Sequence, residues 1–344
     1  MLGAILPGAA QVELREFAVP EPSAGQALVR MQASGLCGSD LRAIYHGVTG
    51  KGAEAYQYCI AGHEPAGRVE AVGPNVHNVR VGDRVVVYHI AGCGTCRDCR
   101  GGWMISCRSP KRAAYGWQRD GGHADFLLAE ASTLLVMPDE LTYVDGALVA
   151  CGVGTAYQAL LRTAVSGRDR VLVVGLGPVG LGAVMLAAAS GAEVIGVDLL
   201  PERLLLASQA GAAHVLPGND DTAAALRELT DGHGVEVALD CSGSGVGRHL
   251  CLEAARHWGR VAFVGEGGTV SFAPSPLLIH KQLTLVGSWV CGLVEMEQVL
   301  EFLARKRLHP EITVTHRFPL AQADAAYRLF DGGSTGKVVL TWDE

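Results

Sequence analysis

Two textures of apolar spacing divide the chain near residue 150. Up to that point the runs ALVRMQA (27–33), GRVEAVG (67–73), RVVVYHI (84–90) and HADFLLAE (123–130) are short and β-rich, separated by Gly, Pro and Asp. Turn residues punctuating such runs predict an antiparallel β lobe. From Arg170 the rhythm changes. VLVVG (171–175), EVIGVD (193–198), HVLPG (214–218), VEVALDCSG (235–243) and RVAFVG (260–265) read as strands, with helices between them starting at Pro178, Pro201, Thr222 and Val246. Strand and helix in alternation predict a doubly wound parallel sheet, so the fold class is α/β. Beyond Trp289 come an amphipathic helix, EMEQVLEFLARKRL, a second at ADAAYRLFDGG and a last strand, KVVLTW. These are expected to return to the first lobe, which places the domains at 1–150, 151–288 and 289–344.

Length agrees with that division. A chain of 344 residues exceeds the size at which a single core stops growing. With 49% hydrophobic and 18% charged residues it is globular, and its 45 glycines follow no repeat. A net charge of -7 offers phosphates no basic face, which argues against a nucleic-acid partner. The first residues lack a basic leader with a long apolar core, and the most apolar stretches are broken by Gly and Pro. A cytoplasmic protein without a membrane partner is expected, with its ten cysteines reduced.

Four of those cysteines carry chemistry. Cys93, Cys96, Cys99 and Cys107 stand in GCGTCRDCRGGWMISC with gaps of two, two and seven residues, which lets four sulfurs converge on one ion. Four thiolates suit tetrahedral zinc and leave no open position, so the cage reads as structural. A disulfide lobe needs an oxidising compartment, an iron–sulfur cluster wants a closer fourth cysteine followed by proline, and a nucleic-acid zinc ribbon wants two well separated CxxC pairs.

Gly175, Gly177 and Gly180 lie between an apolar strand and a helix pattern, the context that makes GxGxxG a dinucleotide fingerprint. Eighteen residues on, Asp198 ends the next strand. A carboxylate there accepts hydrogen bonds from ribose hydroxyls and repels a 2′-phosphate, favouring NAD over NADP. Capping of the helix at Pro201 is the plainer reading of Asp198, and Arg203 nearby could accommodate a phosphate. A second metal site can be assembled from Cys37 in GLCGSD, His63 and Glu64 in AGHEPAG and Cys151 in ACGVGTAY, all read as glycine-flanked turns. Three protein ligands leave the open position that catalytic zinc requires, although each residue alone suits an ordinary interior.

In this order, GLCGSD, AGHEPAGRV, VGDRVVV, the cysteine lobe, ACGVGTAY and VLVVGLGPVG resemble the zinc-dependent medium-chain dehydrogenase/reductase family, from the first strand to the last. The resemblance implies a GroES-like β lobe holding catalytic zinc, a Rossmann domain holding NAD, and a C-terminal segment that completes the first lobe. It implies Cys37, His63 and Cys151 as catalytic zinc ligands, Glu64 as a nearby carboxylate and Asp40 as the group orienting His63. Ser39 would bond the substrate oxygen and start a proton relay, with His46 substituting for a relay histidine where this chain has Arg42. Val179 and Arg203 fall at cofactor-contacting positions, and Val264, Val286 and Ser288 where backbone meets the nicotinamide. His89, Tyr45 and Trp117 fall near the substrate pocket.

The implied activity is reversible hydride transfer between NAD and a secondary alcohol, whether a polyol, a sugar or a related small alcohol. Two zinc ions per chain and a homodimer or homotetramer are expected with it. Cys151 as third ligand resembles the alcohol dehydrogenases, whereas Gly38 after the first ligand resembles the polyol and sugar branch. A threonine-type amino alcohol or a simple alcohol is the alternative substrate. A zinc-free quinone or enoyl reductase, or a non-enzymatic member of the fold, would lack ligands that this chain keeps.

Overall fold

The computed structural model describes residues 1–47 and 55–342, which form two compact units. One comprises Met1–Gly154 and Cys291–Glu344, the other Thr155–Val290. The breaks therefore fall at 154/155 and 290/291, a few residues beyond 150 and 288, and Cys151 belongs to the first unit.

In the first unit a seven-stranded sheet runs in the order Val314–Pro319, Lys337–Thr341, Gln26–Gly35, Pro65–Val72, Arg84–Val87 and Leu134–Val136, with Phe126–Glu130 also paired to Gln26–Gly35. Pairing is antiparallel except between Val314–Pro319 and Lys337–Thr341. That parallel pair is joined through the helix Ala323–Asp331, the kind of crossover that parallel strands need. Ala27, Val29 and Met31 alternate inward from Gln26–Gly35 onto Val69, Val85 and Leu127. A second core gathers Leu36, Ile44, Tyr45, Tyr327, Phe330, Val338 and Leu340. Leu340 faces Ser34 across the antiparallel register, so Lys337, three residues earlier, lies beyond Gly35 at the end of that strand.

The helical run Tyr143–Arg162 is long and apolar enough, by length and composition, to cross a membrane. Its window is 83% buried within the fold, which accounts for the apolarity. This run corrects one expectation. Cys151 sits not at a turn but in a π-helical turn, Val149–Val153, between two α-helical stretches. Widening the helix by one residue re-aims side chains, and such bulges concentrate at functional sites.

The second unit is a six-stranded parallel sheet. Its order is His214–Pro217, Glu193–Asp198, Arg170–Val174, Val235–Asp240, Ala255–Phe263 and Thr284–Gly287, the Rossmann arrangement of third, second, first, fourth, fifth and sixth strands. Thr284–Gly287, absent from the strands expected above, closes one edge. Leu172, Ile195, Ala238 and Val261 from neighbouring strands are fully buried, as the near-continuous apolar runs of a doubly covered sheet require.

Candidate active site

Residues from three places in the first unit meet at one point. The ligand atoms of Cys37, His63, Glu64 and Cys151 all lie within 4.8 Å of one another. Cys37 ends the turn after Gln26–Gly35, His63 and Glu64 immediately precede Pro65–Val72, and Cys151 is presented by the π turn. His63 Nδ1 lies 2.8 Å from Asp40 Oδ1, while Asp40 Oδ2 accepts the Cys37 amide at 3.1 Å. With Nδ1 donating to the carboxylate, Nε2 keeps its lone pair for a metal, the arrangement in which an outer carboxylate sets tautomer and ring orientation. Burial opposes charge on His63, but Asp40 and the Cys37 sulfur outweigh it and raise its pKa well above the usual range.

The two sulfurs act on each other through a hydrogen bond. A hydrogen bond from Cys151 is the largest influence holding Cys37 well below the ordinary thiol value, and the same bond pushes Cys151 well above it. A donor set of one imidazole and two sulfurs suits zinc, which binds thiolate and neutral imidazole. Zinc would be held by Cys37, His63 and Cys151. The Ser39 hydroxyl lies 3.3 Å from Cys37 Sγ and 3.4 Å from His63 Nε2, on the ligand side of the ring.

Sequence reasoning missed the partner of Glu64. Lys337, only 1% exposed, forms an ion pair with Glu64 and donates to the Leu36 carbonyl at 2.7 Å. A β-carbon at Gly35 would fall 2.0 Å from Glu64 Oε2 and 2.9 Å from Lys337 Cε, so the pair fits only against a glycine. Burial pushes the Glu64 carboxyl up to about 7 against the pull of Lys337. The one available signal was a lysine opening an apolar strand, KVVLT. Also unforeseen is a chain in which Ser34 Oγ, His123 and the Tyr327 hydroxyl are linked at 2.9 and 3.0 Å through the two ring nitrogens.

His89 adjoins the cluster, its ring centroid 5.3 Å from that of His63 and its Nδ1 donating to the Ala150 carbonyl at 2.7 Å. Burial and the neighbouring His63 bring its pKa down to about 3. His46 is placed differently. Its Nε2 meets Asp331 Oδ1 at 2.7 Å, and among the described residues it has no bond to Ser39, so this geometry does not support the relay expected of it. Tyr45 is packing, stacked on Tyr327, and Trp117 packs against the same core.

The cysteine lobe forms a second cluster, with the sulfurs of Cys93, Cys96, Cys99 and Cys107 again within 4.8 Å. Amides of Cys96, Cys99 and Cys93 point at the sulfurs of Cys93, Cys96 and Cys107, each at 3.4 Å. Amides of Thr95 and Cys96 lower the Cys93 thiol to about 6, and burial raises Cys99 to about 12. A β-carbon at Gly92 would sit 2.5 Å from Cys99 Sγ, so that sulfur reaches the cluster only past a glycine.

In the second unit the fingerprint turn leads from Arg170–Val174 into Pro178–Ala189. Gly175 has φ +89° and a β-carbon on it would touch Ser242, whereas the space above Gly177 is open. Backbone amides of Leu176 and Leu200 fix the Asp198 carboxylate at 2.6 and 3.0 Å, and Arg203 Nη1 lies 3.9 Å from it. Val179 and Gly180 lie in the first turn of Pro178–Ala189. At the ends of the fifth and sixth strands stand Val264, Val286 and Ser288, and the Ser288 hydroxyl is buried with no hydrogen-bond partner among the described residues. An open glycine turn, a fixed carboxylate and an orphaned hydroxyl along one edge of the sheet fit a dinucleotide.

Two family descriptions match the chain, the Alcohol dehydrogenase GroES-like domain over residues 23–139 and Zinc-binding dehydrogenase over residues 178–305. The uncharacterised zinc-type alcohol dehydrogenase-like protein YphC of Escherichia coli (strain K12) is 50% identical, covering 100% of this chain and 99% of that protein. L-threonine 3-dehydrogenase of Pyrococcus abyssi is 34% identical over 95% of this chain and 94% of its own. Among solved structures, galactitol-1-phosphate dehydrogenase from Escherichia coli superposes with a TM-score of 0.88 at 26% identity, covering 99% and 100% of the two chains.

Proposed function

Because the chain belongs to the zinc-dependent medium-chain dehydrogenase family, and so is an oxidoreductase of the alcohol dehydrogenase kind, we propose that it transfers hydride reversibly between NAD and a secondary alcohol such as a polyol, a sugar or a related small alcohol. The observation that carries this reading is the convergence of Cys37, His63 and Cys151 with Glu64 already paired to Lys337. Three donors then face the centre, and a fourth position stays free for an alcohol oxygen.

Zinc held there by Cys37, His63 and Cys151 would supply the Lewis acidity that lowers an alcohol's pKa toward neutrality, and a bound nicotinamide would supply the hydride chemistry. The remaining work falls to the chain. Asp40 holds His63 in the tautomer that leaves Nε2 free. Ser39, beside both Cys37 and His63, receives the substrate's hydroxyl proton and passes it outward. Asp198 meets the ribose hydroxyls, and its fixed negative charge disfavours the 2′-phosphate of NADP. One zinc at the centre and one in the cysteine lobe make two per chain.

A cytoplasmic setting suits ten unpaired cysteines. Self-association as a homodimer or homotetramer is favoured by the open edge Thr284–Gly287, flanked by Trp258 and Ile279 at 66% and 61% exposure. A threonine-type amino alcohol is the second reading, favoured by the likeness to L-threonine 3-dehydrogenase.

A panel of polyols, sugars, secondary alcohols and amino alcohols read by NADH absorbance tests the proposal. Turnover of a polyol or sugar that disappears in His63→Ala and Cys151→Ala, with NADH still bound, is the expected result. Preference for threonine selects the second reading, and turnover undiminished by removal of either ligand overturns both.

A further inference from the structure

At the C-terminal edge of the parallel sheet three loops lie backbone against backbone. A β-carbon at Gly265 would fall 2.2 Å from the Gly243 amide, one at Gly243 the same distance from the Glu266 carbonyl, and one at Gly268 2.4 Å from the Gly243 carbonyl. The fingerprint turn leans on the same place, since a β-carbon at Gly175 would meet Ser242 Cα at 2.6 Å. Such stacking leaves room for nothing but backbone, and something must hold it in register.

Asp240 and Arg248 do so. Asp240, fully buried at the end of Val235–Asp240, accepts from the Ser242 hydroxyl at 2.6 Å and from the Ser242 and Gly243 amides at 3.0 and 3.2 Å. Its backbone carbonyl accepts the amides of Val264 and Gly265, both at 2.9 Å. Its second carboxylate oxygen accepts Arg248 Nε at 3.2 Å. Arg248, from the helix Gly245–Ala254, then spends its other two nitrogens on the opposite loop. Nη2 donates to the Gly265 carbonyl and Nη1 to the Gly268 carbonyl, each at 2.8 Å, with the guanidinium 5.5 Å from the Phe263 ring.

We propose that Arg248, anchored by Asp240, is a positioning residue that sets the backbone of residues 264–268 for the nicotinamide half of the cofactor, an inference that rests on the cofactor reading above. The segment it grips begins at Val264, and the neighbouring Phe263 carbonyl accepts the Ser288 amide at 3.0 Å, which brings the orphaned Ser288 hydroxyl to the same edge. Asp240 balances the guanidinium charge, so the pair contributes geometry rather than field. The planar fork spreads its donors over three nitrogens and so spans one carboxylate and two separated carbonyls, whereas the ammonium of a shorter lysine would have to meet all three acceptors from a single nitrogen. Removing the grip frees the loop 264–268 on the nicotinamide side, while Ser242 and Gly243 keep their own bonds to Asp240 and so still support the fingerprint turn, and Asp198 and the space above Gly177 lie on the adenosine and pyrophosphate side.

The test compares two ligands on the full zinc-loaded chain. NADH carries the nicotinamide, while ADP-ribose carries adenosine, pyrophosphate and ribose without it. Arg248→Met and Arg248→Lys are expected to weaken NADH binding by about tenfold or more, the equivalent of a hydrogen bond or two, and to change ADP-ribose binding by less than about twofold. Arg248→Lys keeps the charge on Asp240, so it carries the test if the methionine variant fails to fold. Unchanged NADH affinity in Arg248→Lys overturns the proposal, as does a parallel loss of both ligands, which marks a general role in the fold. An unmodified chain that binds neither ligand overturns the cofactor reading and this inference with it.

Discussion

Lys337, in the last described strand, forms a buried ion pair with Glu64, the residue next to His63 and 273 positions earlier. Neither side chain has more than 1% of its surface in water. Removing one partner leaves the other charge uncompensated, which costs about 3–5 kcal/mol. Lys337→Met should therefore lower unfolding stability by that order at pH 8.5, above the value of about 7 to which burial raises the Glu64 carboxyl, and Lys337→Met with Glu64→Gln should recover most of the loss. Denaturant unfolding of both variants decides it, and a single variant as stable as the unmodified protein would exclude an ionised pair.

The two clusters use separate ligands, so elemental analysis of protein purified without chelator should find about two zinc per chain. Cys96→Ser should lose one of them together with thermal stability, because metal affinity in a lobe of this kind is folding free energy. Two ions retained with an unchanged melting temperature would remove the cage.

Cofactor choice turns on Asp198. NAD should be preferred over NADP by more than about tenfold in kcat/KM, equivalent to at least about 1.4 kcal/mol. In Asp198→Ala the repulsion goes and Arg203, now 3.9 Å from that carboxylate, can turn to a phosphate. NADP efficiency should rise as NAD efficiency falls. Equal or better use of NADP by the unmodified enzyme would contradict the assignment.

His123 predicts a pH dependence. Its burial lowers the imidazole from 6.5 to about 4. The folded chain keeps this ring neutral while the unfolded chain takes up a proton below 6.5, so the contribution is complete above that value and is lost as pH falls toward 4. Between pH 7 and pH 5 the loss amounts to about 2 kcal/mol, and His123→Gln should abolish that share. The comparison of the two proteins by denaturant unfolding isolates it from acid loss of metal. Parallel curves over this range would show that the ring titrates normally.

Legibility followed distance along the chain. Cys93, Cys96, Cys99 and Cys107 span fifteen residues, and the Gly175–Gly180 turn with Asp198 is one strand–helix–strand unit, so local spacing carries the geometry. The helix around Cys151 was not legible, because Gly152 and Gly154 directly after it mimic a turn, while Val149, Ala150, Gly152 and Val153 of the π-helical turn are buried by packing of the whole fold. The partner of His46 was hidden for the same reason: Asp331 lies 285 residues on.

By itself the sequence determined the α/β class, the alternation that builds the Rossmann sheet, and the close spacing that gathers Cys93, Cys96, Cys99 and Cys107, because each rests on periodicity or on short spacings that any fold of this chain must respect. Tertiary structure decided the rest. Only the antiparallel register of Lys337–Thr341 against Gln26–Gly35 carries Lys337 to Glu64, and only the glycine-on-glycine stacking of three loops lets Arg248 join Gly265 to Gly268. Such contacts depend on loop closures across tens to hundreds of residues, which are settled by packing of the whole core rather than by any local pattern.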